Sequence, residues 1–343
     1  MMTSRHGKIA VMVLSICFVF CLWDFSNISL VRRLTPLLWQ TCFLIVAAIS
    51  LNLVVGTMGQ LSLGHCGFMA IGAYASALFS LWCQRKDLFV CKEGVWYLTI
   101  VLASLFVALM LTWIVGYLVA IPALRLKGDY LAIITLGFGL IIVNVINNLP
   151  FAGMEGLSLG SSSSVLYKNG LGFSNYLLCK WIFIPVISTG VVLYLINCLV
   201  DSPMGKNVKA ICQDPIGAGA CGIDVPKCKI EIFAMSAALT SVAGWLYACS
   251  MTTLTTSTFS FSNNGILSSS FLVAICVMGG LGSTKGVCIS ATAVSITNYI
   301  LGQMGLNQLP GALGVIFSYP MLVYGILLMV FTLWNPKWRD REK

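Results

Sequence analysis

The residues best suited to chemistry lie together in one glycine-rich stretch between Asn52 and Tyr74. Small residues recur from Gly56 to Ala73, so that neighbouring backbones could approach closely within a membrane. Polar side chains in such a setting hydrogen-bond to one another or face a polar pathway. The stretch therefore predicts either a broken or re-entrant helix beside a solute pathway or tight helix packing with satisfied polar groups. The candidate pathway residues are Asn52, Gly59, Gln60, Ser62, Gly64 and His65.

His65 by itself is a weaker signal than the stretch that contains it. A histidine in an apolar segment could be a ligand or a proton relay, but a histidine packed between helices is the commoner case. No Cys/His pattern with metal-ligand spacing accompanies His65, and no CxxC occurs among the 14 cysteines. The sequence therefore predicts no metal site.

A second candidate is the hydrophilic stretch at about 200–229. It begins with a basic, helix-compatible run at 204–211, turns at Asp214-Pro215, and continues through small residues to Gly222. Two short helices of this kind would protrude from a membrane as a compact knob. The alternative is that the lysines only fix the orientation of the chain.

The third candidate, Gly279 to Gly286, superficially resembles a phosphate-binding loop. It lacks the GxxxxGK[ST] spacing and has no preceding strand, so a tight turn between two spans is the better interpretation. Nothing in the chain resembles a Walker motif, and the 11 acidic residues supply no carboxylate relay within the apolar stretches. We therefore expect no ATP hydrolysis, no bound cofactor and no enzymatic activity from this chain alone.

The elements that must position these residues are membrane spans. Hydrophobic residues make up 58% of the chain and charged residues only 9%, against roughly 25% charge in soluble domains. A span needs about 20 apolar residues, and the continuous runs favour helices over a barrel. We predict an all-α polytopic membrane protein with about ten transmembrane helices, including broken or re-entrant Gly-rich segments. These lie near 9–23, 37–55, 61–82, 95–121, 130–148, 179–199, 230–250, 266–282, 287–303 and 311–333.

The basic residues orient the predicted spans. With the amino terminus inside, most of the 20 lysines and arginines fall on inside segments, so both termini are predicted to be cytoplasmic. The net charge of +9 then indicates contact with anionic membrane lipid and not nucleic-acid binding. The stretch near 9–23 could be a signal peptide, but without a small-residue cleavage site it is better interpreted as a retained span. Cys83 and Cys91 share an outside loop and could be free thiols or a disulfide.

One membrane domain, 1–343, accounts for the whole chain, because no long polar segment could fold as a second unit. Within it, 200–229 is predicted to be a cytoplasmic loop and 149–178 a loop on the opposite, periplasmic side. The Gly-rich runs at 59–72 and 278–286 interrupt apolar stretches in opposite halves of the chain, which weakly indicates an internal repeat.

Taken together, these stretches resemble the LivM-type permeases of the branched-chain amino-acid ABC transporter family. The match follows the family order over most of the chain between about 50 and 300, and urea and short-amide permeases are close relatives. The matching segments are 52–74, 130–139, 147–149, 202–247 and 278–286.

The resemblance implies a non-catalytic permease subunit in a bacterial inner membrane. It implies as partners a homologous second permease, two cytoplasmic ATPases that bind ATP and Mg, and a periplasmic solute-binding protein. It also implies that 203–223 is the coupling helix that docks in a groove of the ATPase. The residues expected in this coupling loop are Gly205, Lys206, Lys209, Ala210, Asp214, Ala218 and Gly222.

Two departures from the family pattern are visible. Pro215, Ile216 and Gly217 stand where the family usually has a glutamate followed by alanines, and Asp214 supplies an acid one position earlier. At the carboxyl end, 334–337 replaces the family's usual ending. The first departure leaves the detailed ATPase contact open, although the docking role is still implied.

The resemblance favours ATP-driven alternating access for branched-chain or similar amino acids. The same architecture could instead carry urea or short amides. A stand-alone channel or secondary carrier is an alternative of another class, and it predicts uptake without ATP or partners. A membrane enzyme is the remaining alternative, but no cluster of catalytic residues supports it.

Overall fold

The structure is a computed structural model that describes residues 29–85, 95–124, 129–149, 157–158, 183–251, 253–260 and 268–303, with the single residues 325 and 329. The predicted span near 9–23 lies outside the described residues, as does almost all of the one near 311–333. The same is true of Cys91 and most of the loop at 149–178.

Helices form wherever the described sequence is continuously apolar, because a backbone in a membrane must satisfy its own hydrogen bonds. The first helix, α1, ends in a short π-helical turn, Leu53–Thr57, and the chain is then non-helical from 58 to 64. The described helices are α1 Ser29–Asn52, α2 His65–Arg85, α3 Val95–Ala123, α4 Asp129–Asn147, α5 Phe183–Asp201, α6 Pro203–Gln213, α7 Pro215–Ala220, α8 Val225–Ser250, α9 Ser269–Gly279 and α10 Thr284–Gln303.

Six stretches of the described residues are helical, long and apolar enough to cross a membrane: Leu34–Thr57, His65–Cys83, Thr99–Ala123, Tyr130–Asn147, Phe183–Asp201 and Val225–Ser250. A multi-pass α-helical membrane protein is therefore confirmed, whereas the predicted count of about ten spans is not. Their bounds agree with the predicted ones to within a few residues, the largest difference being that α8 begins at Val225 and not near 230.

The predicted span at 266–282 is shorter in the structure. Its helix, α9, has 11 residues, which rise about 16 Å and cannot cross a 30 Å hydrocarbon core alone. Gly280 and Gly282 end it with φ of +86° and +82°, a backbone conformation that glycine adopts readily. The tight turn predicted from Gly279 to Gly286 is therefore present, and it leads directly into α10.

The centre of the bundle is α8. It packs against α1, α2 and α3, and its side chains are buried along most of its length, including Phe233 and Trp245. The indole N–H of Trp245 donates to the hydroxyl of Ser104 on α3 at 3.1 Å. By contrast, large apolar side chains of α3, α4 and α5 point outward, as helices in contact with lipid require.

A two-residue antiparallel strand pair accompanies the helices. Leu157–Ser158 pairs with Thr253–Leu254, with Leu157 opposite Leu254. These residues lie in the predicted outside loops that follow α4 and α8. Apart from this pair, the described residues form no sheet, in keeping with a helical fold class.

Candidate functional site

Two short helices between the spans α5 and α8 form a knob, defined here as α6 and α7 (203–220). Ser202 caps α6, its hydroxyl accepting the Gly205 N–H at 3.2 Å. Asp214 caps α7, its Oδ1 accepting the Ile216 N–H at 2.9 Å. Each helix has proline in its first turn, where a missing N–H costs nothing. Pro215 therefore begins α7 without disrupting it, and Asp214 ends one helix and caps the next.

One face of the knob is buried and the other is open. Val208 and Ile211 are buried within α6, and Ala218 is buried within α7. The opposite face is unusually apolar at one point, because Ile216 at the start of α7 is 84% exposed. Of the predicted coupling-loop residues, Gly205 and Ala218 are buried and Ala210 is half-buried. The exposed ones are Lys206, Lys209, Asp214 and Gly222.

The two glycines predicted in the coupling loop have local structural roles. A methyl group on Gly205 would lie 2.2 Å from the carbonyl oxygen of Leu199, so glycine lets α6 turn tightly against the end of α5. Gly222 has φ +84° and follows α7, where the Ile223 N–H bonds back to the Ala218 carbonyl at 3.2 Å. This is the bond pattern of a glycine-terminated helix.

Asp224 joins the knob to α8. Its carboxylate accepts the backbone N–H of Lys227 at 3.3 Å and lies 2.8 Å from the Lys227 ammonium group. Both interactions favour the ionised form, so they lower the pKa of Asp224 from its ordinary value. Because both side chains are exposed to solvent, this pair contributes little to stability.

The Gly-rich stretch and the two other candidate segments meet at one end of the bundle. Gly59 has φ +67°, and a methyl group there would lie 2.6 Å from Cys212 Sγ on α6. A methyl group on Gly56 would lie 2.2 Å from the Gly282 nitrogen in the α9–α10 turn. The structure therefore brings parts of all three segments selected from the sequence together, whereas their predicted location on the inside stays a prediction.

His65 is the centre of a buried hydrogen-bond network. Its Nδ1 lies 3.0 Å from the Ser62 hydroxyl, and its Nε2 lies 3.0 Å from the Ser236 hydroxyl on α8. Ser236 in turn donates to the Ser50 carbonyl on α1. The imidazole thus joins α2 to α8, and Ser236 extends the network to α1. The ring also makes edge-to-face contacts with Phe68 and Phe233.

Of the remaining predicted pathway residues, Asn52, Ser62 and Gly64 are buried, Gln60 is half-buried and Gly59 is exposed. Thr135 of α4 accepts the Leu63 N–H at 3.1 Å, and a methyl group on Gly64 would lie 2.2 Å from the Thr135 carbonyl oxygen. Gln60 is different, because its buried Oε1 has no hydrogen-bond partner among the described residues. Whether any of the predicted residues lines a solute pathway stays a prediction.

The residues that the sequence did not single out lie mainly on α8. Ser236 completes the His65 network. Gly244 allows α8 to contact α2 closely, because a methyl group at this position would lie 2.1 Å from the Met69 carbonyl oxygen. The small residues that recur along α8 are the sequence pattern that could have predicted this close helix contact. In the described part of the chain no three His, Cys, Asp or Glu residues cluster as metal ligands.

A bundle of apolar spans, a capped knob outside them and glycine-mediated contacts between loops define a multi-pass membrane protein with a structured solvent-side loop. The family described as "Branched-chain amino acid transport system / permease component" matches residues 34–332. The chain belongs to this family.

Individual relatives agree with the family match. The chain is 30% identical to the high-affinity branched-chain amino acid transport system permease protein LivM of Salmonella typhimurium, over 87% of this chain and 68% of that protein. The LivM protein of Escherichia coli is also 30% identical, over 87% of this chain and 67% of that protein. The probable branched-chain amino acid transport permease protein LivM of Methanocaldococcus jannaschii is 25% identical, over 90% of this chain and 92% of that protein.

Proposed function

We propose that this chain is the transmembrane permease subunit of a binding-protein-dependent ABC importer in a bacterial inner membrane, with both termini cytoplasmic. It would translocate branched-chain or similar amino acids by ATP-driven alternating access. Its partners would be two ATPase subunits, which bind ATP and Mg, a homologous second permease and a periplasmic solute-binding protein. The chain itself would be non-catalytic. Family membership and the names of the relatives support this cargo class.

The observation that carries the proposal is the structure of the knob. Ile216 is 84% exposed on a helix that is too short to cross a membrane, and Lys206 and Lys209 lie on the open face of the neighbouring helix. Apolar anchors with a charged surround are typical of protein interfaces. The buried face, with Val208 and Ile211, fixes the knob to the bundle so that a force on it would reach the spans.

The proposal is tested on the knob with the complete transporter in proteoliposomes. Ile216→Asp and Lys209→Glu should each lower ATP-dependent uptake about thirtyfold, because loss of an interface anchor costs about 2 kcal/mol. Lys285→Glu is the matched control, since Lys285 is an exposed lysine on the same side but in the first turn of α10. Normal uptake and normal ATPase copurification with both knob variants would overturn the docking role.

A further inference from the structure

We propose that residues 52–59, here called the connector, transmit displacement of the knob to the α9–α10 turn, and that Asn52 is the positioning residue of this link. The proposal rests on the proposed function, because it assumes that a partner ATPase moves the knob. It assigns a mechanical role to Asn52, which the sequence had suggested only as a pathway residue.

The connector touches the knob at one end. Gly59, in the left-handed region at φ +67°, packs on the Cys212 side chain of α6 so closely that no other residue type would fit without displacement. Cys212 itself is on the solvent-exposed side of α6. Gly59 and Cys212 are both exposed, but α6 also contacts the turn Leu53–Thr57, which is mostly buried. A shift of α6 toward the bundle would therefore press on the connector.

The connector touches the α9–α10 turn at its other end. Asn52 is 2% exposed, and its side-chain Oδ1 accepts the Gly282 N–H at 3.0 Å. One helical turn further along, Gly56 packs directly on the Gly282 backbone. The turn is itself compact, since the Ser283 N–H bonds to the Gly280 carbonyl at 3.0 Å and Gly279 packs on Val287.

The connector contains an irregular helical turn between Asn52 and Gly59. Residues Leu53–Thr57 form a π-helical turn, which is rare and is frequently found at functional sites. A change in this turn would alter the spacing between Asn52 and Gly59, and hence between the knob and the α9–α10 turn. Transmission of movement through a chain of packed groups requires an element that can adopt two arrangements, and we assign this role to the π-helical turn.

The first test compares variants in the reconstituted transporter by the ratio of solute imported to ATP hydrolysed. Asn52→Leu keeps the side-chain size but removes the acceptor, and should lower this ratio on the order of fivefold. Ser50→Ala is the matched control, because the Ser50 hydroxyl bonds only within α1, to the Val46 carbonyl. Asn52→Asp restores an acceptor at the same position and should recover part of the ratio.

The second test follows movement and would detect a misfolded variant. Maleimide labelling of Cys212 and of Ser283→Cys is measured with and without ATP, in a background whose other accessible cysteines are serine. Both rates should respond to ATP when Asn52 is present. In Asn52→Leu, Cys212 should still respond, whereas Ser283→Cys should not.

The outcomes separate the two proposals. If the unaltered transporter shows no ATP-dependent uptake and Cys212 labelling never responds to ATP, the proposed function fails. If uptake and the Cys212 response are normal but Asn52→Leu leaves both the ratio and the Ser283→Cys response unchanged, the connector proposal fails alone. Loss of the Cys212 response in Asn52→Leu would also overturn it, because the knob should move independently of Asn52.

Discussion

The side-chain oxygen of Asn52 accepts the backbone N–H of Gly282 across 230 residues of sequence, at 3.0 Å. The Asn52 side chain is 2% exposed, so its oxygen needs a partner within the protein, and the Gly282 N–H supplies one. It also places the glycine-rich turn of the second half of the chain against the end of the first described span. This contact explains why both segments are rich in glycine: Gly56 and Gly282 leave the space in which the two backbones meet.

The His65 network should be structural. Replacing His65 with leucine removes the partner of the buried Ser62 hydroxyl and one partner of Ser236, and should lower the free energy of unfolding by about 1–3 kcal/mol. Thermal unfolding in detergent measures this loss. Thr112→Val is the control, since Thr112 bonds only to Ala108 of its own helix and should cost less. Undiminished stability together with lost transport would instead indicate a role in the solute pathway.

Close contact between α2 and α8 should depend on Gly244. Gly244→Ala places a methyl group 2.1 Å from the Met69 carbonyl oxygen, so the helices must separate, at a cost of about 1–3 kcal/mol. Gly137→Ala is the matched control on α4, because nothing lies within 4 Å of its added methyl group. Its stability should be unchanged or slightly raised. Equal unfolding temperatures for the two variants would contradict the packing described for α2 and α8.

The chain reversal after α7 should depend on the left-handed backbone conformation of Gly222. It should not depend on the absence of a side chain, because there is room for one. Gly222→Ala meets no atom within 4 Å, but it forces an L-residue to φ +84°, which costs about 1–2 kcal/mol. Gly219→Ala, also in open space but within α7, should have no such cost. The proposal that the knob docks on an ATPase further predicts a reduced ratio of uptake to ATP hydrolysis in Gly222→Ala only. Identical ratios in the two variants would count against it.

Much of the architecture was predictable because a bilayer imposes length and composition on its spans. Tyr130–Asn147 was predicted at 130–148, and α3 and α5 were predicted with similar accuracy. The predicted span at 287–303 is a helix, α10, but it is not among the six stretches apolar enough to cross a membrane. The knob was also predictable, since Asp214-Pro215 ends one helix and begins another. The short helix α9 was predicted too long because the predicted span included Gly280, Leu281 and Gly282, where two glycines with positive φ stop the helix.

The partners of buried polar groups could not be predicted from the sequence. His65 was identified as a candidate, but nothing in the local pattern indicates that its Nε2 meets Ser236, 171 residues away. The same limit applies to Gly59 and Cys212, whose contact depends on how the knob is oriented against the bundle. Local periodicity determines which face of a helix is buried, whereas long-range pairing depends on the packing of the whole bundle.

The central claim is most directly tested by uptake of radiolabelled leucine into proteoliposomes that contain this chain with its partner permease and ATPases. The binding protein is added outside, and ATP is enclosed or omitted. The account predicts leucine accumulation only when ATP, the ATPases and the binding protein are all present. Equal uptake by this chain alone, without ATP, would contradict it and would identify a stand-alone channel or carrier.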